Sequence, residues 1–310
     1  MTASPAAPLR LGTRGSTLAL RQSGLVVEAL ARVGVRAELV PIVTAGDVRA
    51  PDTAWGEGAF VGALEAALLD GRVDLAVHSA KDVPTDADDR LTIAAFPTRT
   101  EAVDVLVGGA GNGTLADLPV GAIVGTDSPR RTGFLLAARR DLRVVALSGN
   151  VDTRLGRLDR GEVGALVLAA AGLLRLGRGA RIASRLDPEI MPPAPGQGAL
   201  AVQTRTDDHA VRALVGRLDD PATRLAVETE RTILAAAGGG CRAPLGALVV
   251  ATGDRLDVVA GFVGVDGRDR YVVRQVDSVG AAPELARAIA ADFLARGYRS
   301  VAVDGRLSGR

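Results

Sequence analysis

The chain is poor in the side chains from which most reactive sites are built. Its 310 residues include one cysteine, two histidines and one tryptophan, and aromatics make up 3% of the composition. The single Cys241 excludes an internal disulfide. One cysteine with His78 and His209 argues against a zinc cluster, so no metal is implied. Long hydrophobic runs are missing as well: no apolar stretch reaches the roughly eighteen residues of a membrane span. Met1 to Pro8 lacks the basic start and apolar block of a secretory signal. A cytoplasmic location with no membrane partner is the expectation. Charge of one sign is also absent, because 37 basic and 36 acidic residues leave a net charge of +1. The two signs are interspersed, which argues against a nucleic-acid partner. Lysine itself is nearly absent, Lys81 being the single one among the 37 basic residues. Either it is a chance survivor of an arginine-rich coding bias, or its position needs a compact ammonium that a planar guanidinium cannot replace.

What is present is an aliphatic, alternating pattern. Hydrophobic residues reach 47%, so the cores are expected to be built from Ala, Val and Leu, and a chain of this length points to two or three domains. Strand patterns at 9–13, 36–43 and from 74 alternate with helical patterns at 17–33 and 60–69. A second unit starts near Val103, with strands at 122–125, 143–147 and 165–169 and helices at 129–140 and 151–159. This alternation predicts mainly parallel, wound sheets. The polar stretch 44–58 reads as a long functional loop. Pro192, Pro193 and Pro195, followed by Gly196-Gln197-Gly198, read as a hinge, after which 199–204 returns as a strand to the first unit. From about Asp219 a helix, three strand patterns, a helix near 284–295 and a strand near 300–303 describe a small α+β domain. The expected domains are 1–98 completed by 198–218, then 99–197, then 219–310.

Three strand-to-helix connections share one design: Gly12-Thr13-Arg14-Gly15-Ser16, Gly125-Thr126-Asp127-Ser128-Pro129-Arg130-Arg131, and Ser148-Gly149-Asn150-Val151-Asp152-Thr153-Arg154. Each sets backbone N–H groups, hydroxyls and an arginine at a helix start. That is either ordinary capping with solvated arginines or a site for anions, with arginine gripping carboxylates through paired bonds. Their repetition at strand carboxyl ends, where open α/β sheets bind ligands, favours a ligand carrying several negative groups. No Walker-type phosphate loop is present.

Val77-His78-Ser79-Ala80-Lys81-Asp82-Val83-Pro84 leaves the third strand at its carboxyl end. An aspartate beside a cation stays ionised and can stabilise a developing positive charge or exchange a proton; the alternative is an exposed ion pair of little energetic weight. His78 reads as a hydrogen-bonded structural residue and His209 as solvent-facing. Cys241 follows three glycines on a turn, with Arg242 beside it to favour a thiolate. It reads as a nucleophile or covalent anchor, or as an inert loop thiol.

Taken in order, these motifs, together with Ala171-Gly172-Leu173-Leu174-Arg175-Leu176-Gly177, Pro195-Gly196-Gln197-Gly198-Ala199 and Gly239-Gly240-Cys241, make the chain resemble the hydroxymethylbilane synthase (porphobilinogen deaminase) family over nearly its whole length. The resemblance implies two wound α/β domains like type II solute-binding proteins and a small C-terminal α+β domain. It implies a dipyrromethane cofactor held through a thioether to Cys241. Four porphobilinogen molecules then add stepwise with loss of ammonia, and water releases the linear tetrapyrrole. Asp82 is implied as the catalytic residue. Lys81, Ser128, Arg130 and Arg131 are implied as cofactor-binding, and Arg14, Ser16, Thr126, Arg154, Arg175 and Gln197 as substrate-binding. The partners implied are porphobilinogen and its oligomers, with the chain acting as a monomer.

Several residues depart from the family pattern. Ser148 stands where an arginine is usual and Asp127 where a serine is usual, so one carboxylate clamp is missing and a negative charge enters an anion site. Asp127 either pairs with a neighbouring arginine or repels substrate. Ala45 and Glu57 occupy loop positions that are often basic. Two competing readings are a non-catalytic carboxylate-binding protein of the same fold, which gives Cys241 no purpose, and a pyridoxal-phosphate enzyme with Lys81 as its Schiff base, for which Asp82 is an odd neighbour. The departures predict that Asp127→Ser and Ser148→Arg each tighten substrate binding; Michaelis constants unchanged in both variants would reject that reading.

Overall fold

The computed structural model describes residues 7–43, 61–86, 88–108, 113–240 and 242–299. The stretch 44–58 with Ala45 and Glu57, the strand expected at 300–303 and Cys241 lie outside them. The first elements are β1 (Leu9–Thr13), α1 (Thr17–Arg32), β2 (Ala37–Pro41), α2 (Gly62–Leu69), β3 (Leu75–Ser79) and β4 (Leu91–Ala95). There follow β5 (Asp104–Gly108), β6 (Ile123–Gly125), α3 (Pro129–Ala138), β7 (Arg143–Val145), α4 (Val151–Asp159), β8 (Ala165–Ala169), α5 (Ala170–Arg175) and β9 (Ile182–Arg185). The chain continues through β10 (Leu200–Arg205), α6 (His209–Val215), α7 (Pro221–Ala236), β11 (Leu245–Thr252), β12 (Arg255–Phe262), β13 (Tyr271–Ser278) and α8 (Ala282–Ala295).

Local chemistry sets the helix starts. Ser16 is extended at φ −70°, ψ 147°, and its hydroxyl accepts from the Ala19 N–H at 3.3 Å, satisfying one of the orphan donors of α1. Buried Gln22, Ser23, Val26 and Leu30 then fall on one face of that helix, at the spacing a half-buried helix requires. Ser128 and Asp220 cap α3 and α7 in the same way, each followed by a proline in the first turn.

Two sheets share one strand order. The first runs β2-β1-β3-β10-β4 and the second β7-β6-β8-β5-β9; the third is the meander β11-β12-β13. This is the architecture the resemblance implied: two wound α/β units and a small C-terminal unit of sheet and helix. The expectation of mainly parallel sheets needs correcting. β1 pairs in parallel with β2 and β3, and β6 with β7 and β8, but β10 runs antiparallel to β3 and β4, and β5 antiparallel to β8 and β9. The cause is connectivity. β5 and β10 are each fed by chain arriving from the other sheet, so they enter from the opposite end and need no intervening helix. For the same reason β4, β5 and β9, short strands beside the crossings, carry no helix–strand alternation to announce them.

The two crossings, 96–103 and 186–199, lie side by side. The Thr100 N–H donates to the Gly198 carbonyl at 3.2 Å. Gly198 has φ 88°, and a Cβ there would sit 2.6 Å from the Thr100 oxygen; Gly196, at φ 77°, would place one 3.1 Å from the Lys81 nitrogen. Only glycine suits a positive φ at so close an approach. Buried aliphatics fill all three units: Leu11, Leu30, Leu75 and Val202 in the first, Leu106, Val124, Phe134 and Val167 in the second, and Ile233, Val258, Ile289 and Phe293 in the third.

One polar pair crosses the first sheet. His78 is 5% exposed, and its Nε2 lies 2.9 Å from Gln203 Oε1, whose amide donates to Glu65 at 3.0 Å. It is a structural histidine, as expected from the sequence. Burial pushes it down to about 4, against the opposing pull of the Gln203 bond. Between its ordinary value and that one, the unfolded chain binds a proton the folded chain excludes. Stability is therefore full above about 6.5 and falls as the pH drops toward about 4. Urea unfolding at about pH 7.5 and about pH 4.5 should show a loss of about 2–3 kcal/mol from this group, and His78→Gln should flatten the slope. An unchanged slope in that variant would place the titration elsewhere.

Candidate functional site

Ala80–Asp82 form a single 3₁₀ turn at the carboxyl end of β3, after which Val83 returns to extended backbone. The turn is held from several sides. Gln22 of α1 donates to the Ser79 hydroxyl at 3.1 Å, and the Ala80 N–H donates to the Ala199 carbonyl at 3.0 Å. Lys81 points its ammonium toward the hinge, donating to Gln197 Oε1 at 3.3 Å. Asp82 is half-buried in the same turn, and its charge acts on Lys81.

The hinge side of the cluster centres on Asp104, the first residue of β5, which is fully buried. Arg130 Nη1 donates to Asp104 Oδ2 at 2.7 Å and to the Pro192 carbonyl at 2.7 Å. Arg131 grips Asp104 Oδ1 through Nε at 3.0 Å and Nη2 at 2.7 Å, and its Nη1 reaches the Val167 carbonyl at 3.1 Å. Gln197, also fully buried, donates to the Ala102 carbonyl at 2.7 Å and to Asp104 at 3.1 Å. Its oxygen accepts from both Lys81 and Arg131. One carboxylate and one amide thus hold three cations from two different units. Asp104 lies far below the usual carboxylate range because Arg130 and Arg131 outweigh the cost of its burial. Lys81 keeps some residue exposure, yet burial of its ammonium and the nearby Arg131 push it down to about 8, against the pull of Asp82 and Asp104.

The remaining expected residues surround this core. Arg154 donates from Nε to the Gly149 carbonyl at 2.8 Å, and Arg175 donates to the Gly198 carbonyl at 2.6 Å and the Thr100 hydroxyl at 3.3 Å. Among the described residues no carboxylate lies within salt-bridge distance of either, and Arg175 Nε is buried with no partner. Burial pushes both down to about 10, so both remain cationic at neutral pH. Leu18 of α1 and Val151 of α4 each come within 3.8 Å of where a Cβ on Gly172 of α5 would stand. The helix starts behind Ser16 and Asn150 therefore meet at the helix that carries Arg175. Arg14 and Ser16 are half-buried there; Thr126 is 2% exposed, and its hydroxyl accepts from the Ser128 N–H at 3.3 Å.

The two departures are resolved differently. Asp127 has an arginine opposite it, Arg242 Nη1 at 3.9 Å, across the boundary between the second unit and the C-terminal one. It also acts electrostatically on Arg154. Ser148 is 6% exposed, so an arginine there would have to leave a buried position to reach the cleft, and Asp127→Ser is the better supported of the two exchanges. Cys241 lies outside the described residues; on either side of it, the Gly240 carbonyl accepts from the Ala243 N–H at 2.9 Å.

Some residues at the centre of this arrangement were not singled out in the sequence. Asp104 has one signal, a carboxylate opening the apolar run Val105-Leu106-Val107. Glu230 has another, an acid on the buried face of α7. It is fully buried and accepts from Arg99 at 2.6 and 3.0 Å, from the Gly196 N–H at 2.7 Å and from the Val249 N–H at 2.8 Å. Arg231, beside it, donates to the carbonyls of Ala80, Val83 and Pro84.

The family model described as "Porphobilinogen deaminase, dipyromethane cofactor binding domain" matches residues 9–213. Porphobilinogen deaminase of Acidothermus cellulolyticus is 48% identical, over 96% of this chain and 91% of the relative. Those of Nocardia farcinica and Mycobacterium marinum are 45% and 44% identical, over 97% and 94% of this chain and 90% and 96% of theirs. Among solved structures, the VFT2 domain of Bordetella pertussis BvgS is similar at 19% identity and a TM-score of 0.42, over 68% of this chain and 85% of that one. The chain belongs to the porphobilinogen deaminase family.

Proposed function

We propose that the chain is a transferase that condenses four porphobilinogen molecules onto a dipyrromethane joined to Cys241, releases ammonia at each addition, and frees linear hydroxymethylbilane by hydrolysis. We assign it to the cytoplasm as a monomer, with domains 1–98 completed by 198–218, 99–197 and 219–310. Among the described residues no helix is long and apolar enough to cross a membrane. The observation that carries the reading is the surplus of buried and half-buried cations in the cluster around Asp82. Asp104 answers Arg130 and Arg131, whereas among the described residues Arg154 and Arg175 hydrogen-bond only to carbonyl and hydroxyl oxygens. Burial and the neighbouring Arg131 push Lys81 down to about 8 in spite of Asp82 and Asp104, so its charge is only partly compensated. Buried charge is costly unless paired, so the cluster is completed by an anionic ligand. Dipyrromethane fits, since each of its rings carries an acetate and a propionate.

Lys81, Ser128 and Arg131 would hold those carboxylates. When bound, the group supplies the nucleophilic pyrrole on which the product grows. Loss of ammonia from porphobilinogen leaves a methylene-pyrrole cation, and the Asp82 carboxylate stabilises that charge through the pyrrole N–H, a preorganised electrostatic role. The aminomethyl group, an ammonium at neutral pH, leaves as ammonia when its C–N bond breaks, and the Asp82 carboxylate takes the proton that the attacked pyrrole carbon then releases, returning it to solvent. Arg14, Ser16, Thr126, Arg154 and Arg175 receive the carboxylates of the incoming unit. Gln197, expected from the resemblance to bind substrate, and Arg130, expected to bind the cofactor, are both buried and bonded to Asp104, so in this proposal they organise the cluster instead. The alternative, a binding protein of the same fold, gives Asp82 and Cys241 no task.

Incubation with porphobilinogen, following ammonia and tetrapyrrole together, tests the activity. Intact mass should show two pyrrole units on the chain, and these should be absent from Cys241→Ser. Asp82→Asn should keep the mass increment and lose about 10²–10⁴-fold in kcat. An unmodified chain inert toward porphobilinogen after reconstitution would overturn the reading. Lys81 loses its charge as pH rises through about 8. In the cofactor-free Cys241→Ser protein, porphobilinogen binding should therefore weaken above that pH. Lys81→Arg should carry binding to higher pH; identical profiles would remove Lys81 from the carboxylate site.

A further inference from the structure

The Lys81-Asp82 turn is held from the hinge side by Gln197 and Ala199, but its other side is held by the C-terminal unit. Arg231, half-buried on α7, donates Nη1 to the Val83 carbonyl at 2.7 Å and to the Ala80 carbonyl at 3.2 Å, and Nη2 to the Pro84 carbonyl at 2.7 Å. These carbonyls bracket Asp82. A 3₁₀ turn of three residues leaves carbonyls without helical partners, and one planar guanidinium, a rigid fork of donors, collects that of Ala80 in the turn together with those of Val83 and Pro84 just after it. A lysine at that position would offer a point charge without the fork.

The preceding residue reaches the other way. Glu230 is fully buried and holds Arg99 on one crossing, the Gly196 N–H on the other and the Val249 N–H of β11. The first turn of α7 is fastened as well: the Asp220 N–H donates to the Phe96 carbonyl at 2.9 Å and the Arg99 N–H to the Thr223 hydroxyl at 3.0 Å. The helix so fixed runs into Gly238-Gly239-Gly240, immediately before Cys241. A single rigid element thus connects the Asp82 turn to the segment that carries the cysteine.

We propose that Arg231 is a positioning residue, which locks the Asp82 turn onto α7 so that the reactive carboxylate and the C-terminal unit keep one fixed relation while substrate units are added. The inference rests on the proposed role of Asp82. Removing the fork leaves the carboxylate in place but lets its turn drift, and misplacement by about 1 Å costs up to about 10²-fold in rate. Arg14, Ser16, Thr126 and Arg175 lie outside the turn, and Lys81 within it keeps its separate bond to Gln197, so the carboxylate contacts persist and KM stays near its value.

The test compares wild type, Arg231→Lys and Arg231→Met in two readouts. The first, on cofactor-free Cys241→Ser protein, is hydrogen exchange at the amides of residues 80–86. Arg231→Met should exchange faster there by about tenfold or more, while amides in β11 and β12 stay protected. The second, on the loaded enzyme, is steady-state kinetics. Arg231→Met should lose about 10- to 100-fold in kcat with KM within about twofold, and Arg231→Lys should recover part of the loss. Unchanged exchange at 80–86, a loss confined to KM, or a fall in rate that disappears once normalised to folded protein would each overturn the proposal. If wild type itself fails to turn over porphobilinogen, the functional reading falls on its own, and the exchange measurement still decides whether Arg231 holds the turn.

Discussion

One buried carboxylate underlies the arrangement of the site. Asp104 stands fully buried where β5 begins, and Arg130, Arg131 and Gln197 all bond to it. Without it, two guanidinium groups on the first turn of α3 would face each other in a medium that screens them poorly, at several kcal/mol for each unpaired ion. With it, their fork geometry is fixed, and the shared Gln197 oxygen carries that order across the hinge to Lys81. The cations meant for ligands are therefore held rigid by an anion that no ligand displaces. Preorganisation of this kind lets a charged site act electrostatically without first rearranging.

The same logic explains why the crossings and α7 are so heavily fastened. Two wound units joined by two strands of chain would ordinarily rock about them, since interfaces inside a chain resemble transient ones. Here the crossings touch at Gly198 and Thr100, and Glu230 ties both of them to the third sheet through Val249. Motion is thus confined to what the fastened elements permit. The half of the cleft carrying Asp82 is fastened to α7 of the unit carrying Cys241, and the second unit also packs closely on that unit: Val263 is buried in the second unit's core, and a Cβ on Gly133 would sit 2.5 Å from the Gly264 oxygen.

Much of this was legible from the sequence because local rules govern it. Residues 9–13, 151–159 and 165–169 form the expected elements to the residue, since an apolar run or a capped amphipathic stretch needs no tertiary help. Ser16, Ser128 and Asn150 cap the helices that their spacing announced. The antiparallel β5 and β10 were not legible as such, because strand direction depends on which sheet the chain has just left. Asp104 and Glu230 escaped for a related reason. Each is a lone acid in an apolar context, and its partners, Arg130 and Arg131 or Arg99 and the backbone of β11, are 19 to 131 residues away. Arg231 could not be singled out among so many arginines, because its role lies in carbonyl oxygens that every residue possesses.

The departures from the family pattern follow from this division between fixed and adaptable charge. Asp127 adds a negative charge to a loop otherwise suited to anions, yet it meets Arg242 from another unit and also acts on Arg154. At 3.9 Å and partly exposed, the Arg242 pair is weak, so its worth lies in balance more than in binding. It offsets an extra cation beside the cysteine with an extra anion beside the cleft, leaving the local surplus close to what it would be without either. The inner cluster has no such latitude. A change of one charge at Asp104 would leave two buried guanidinium groups uncompensated, while the outer pair can be exchanged at small cost. Exchange at 127 and 242 therefore costs little, because the rigid excess of positive charge around Asp82 is set further in.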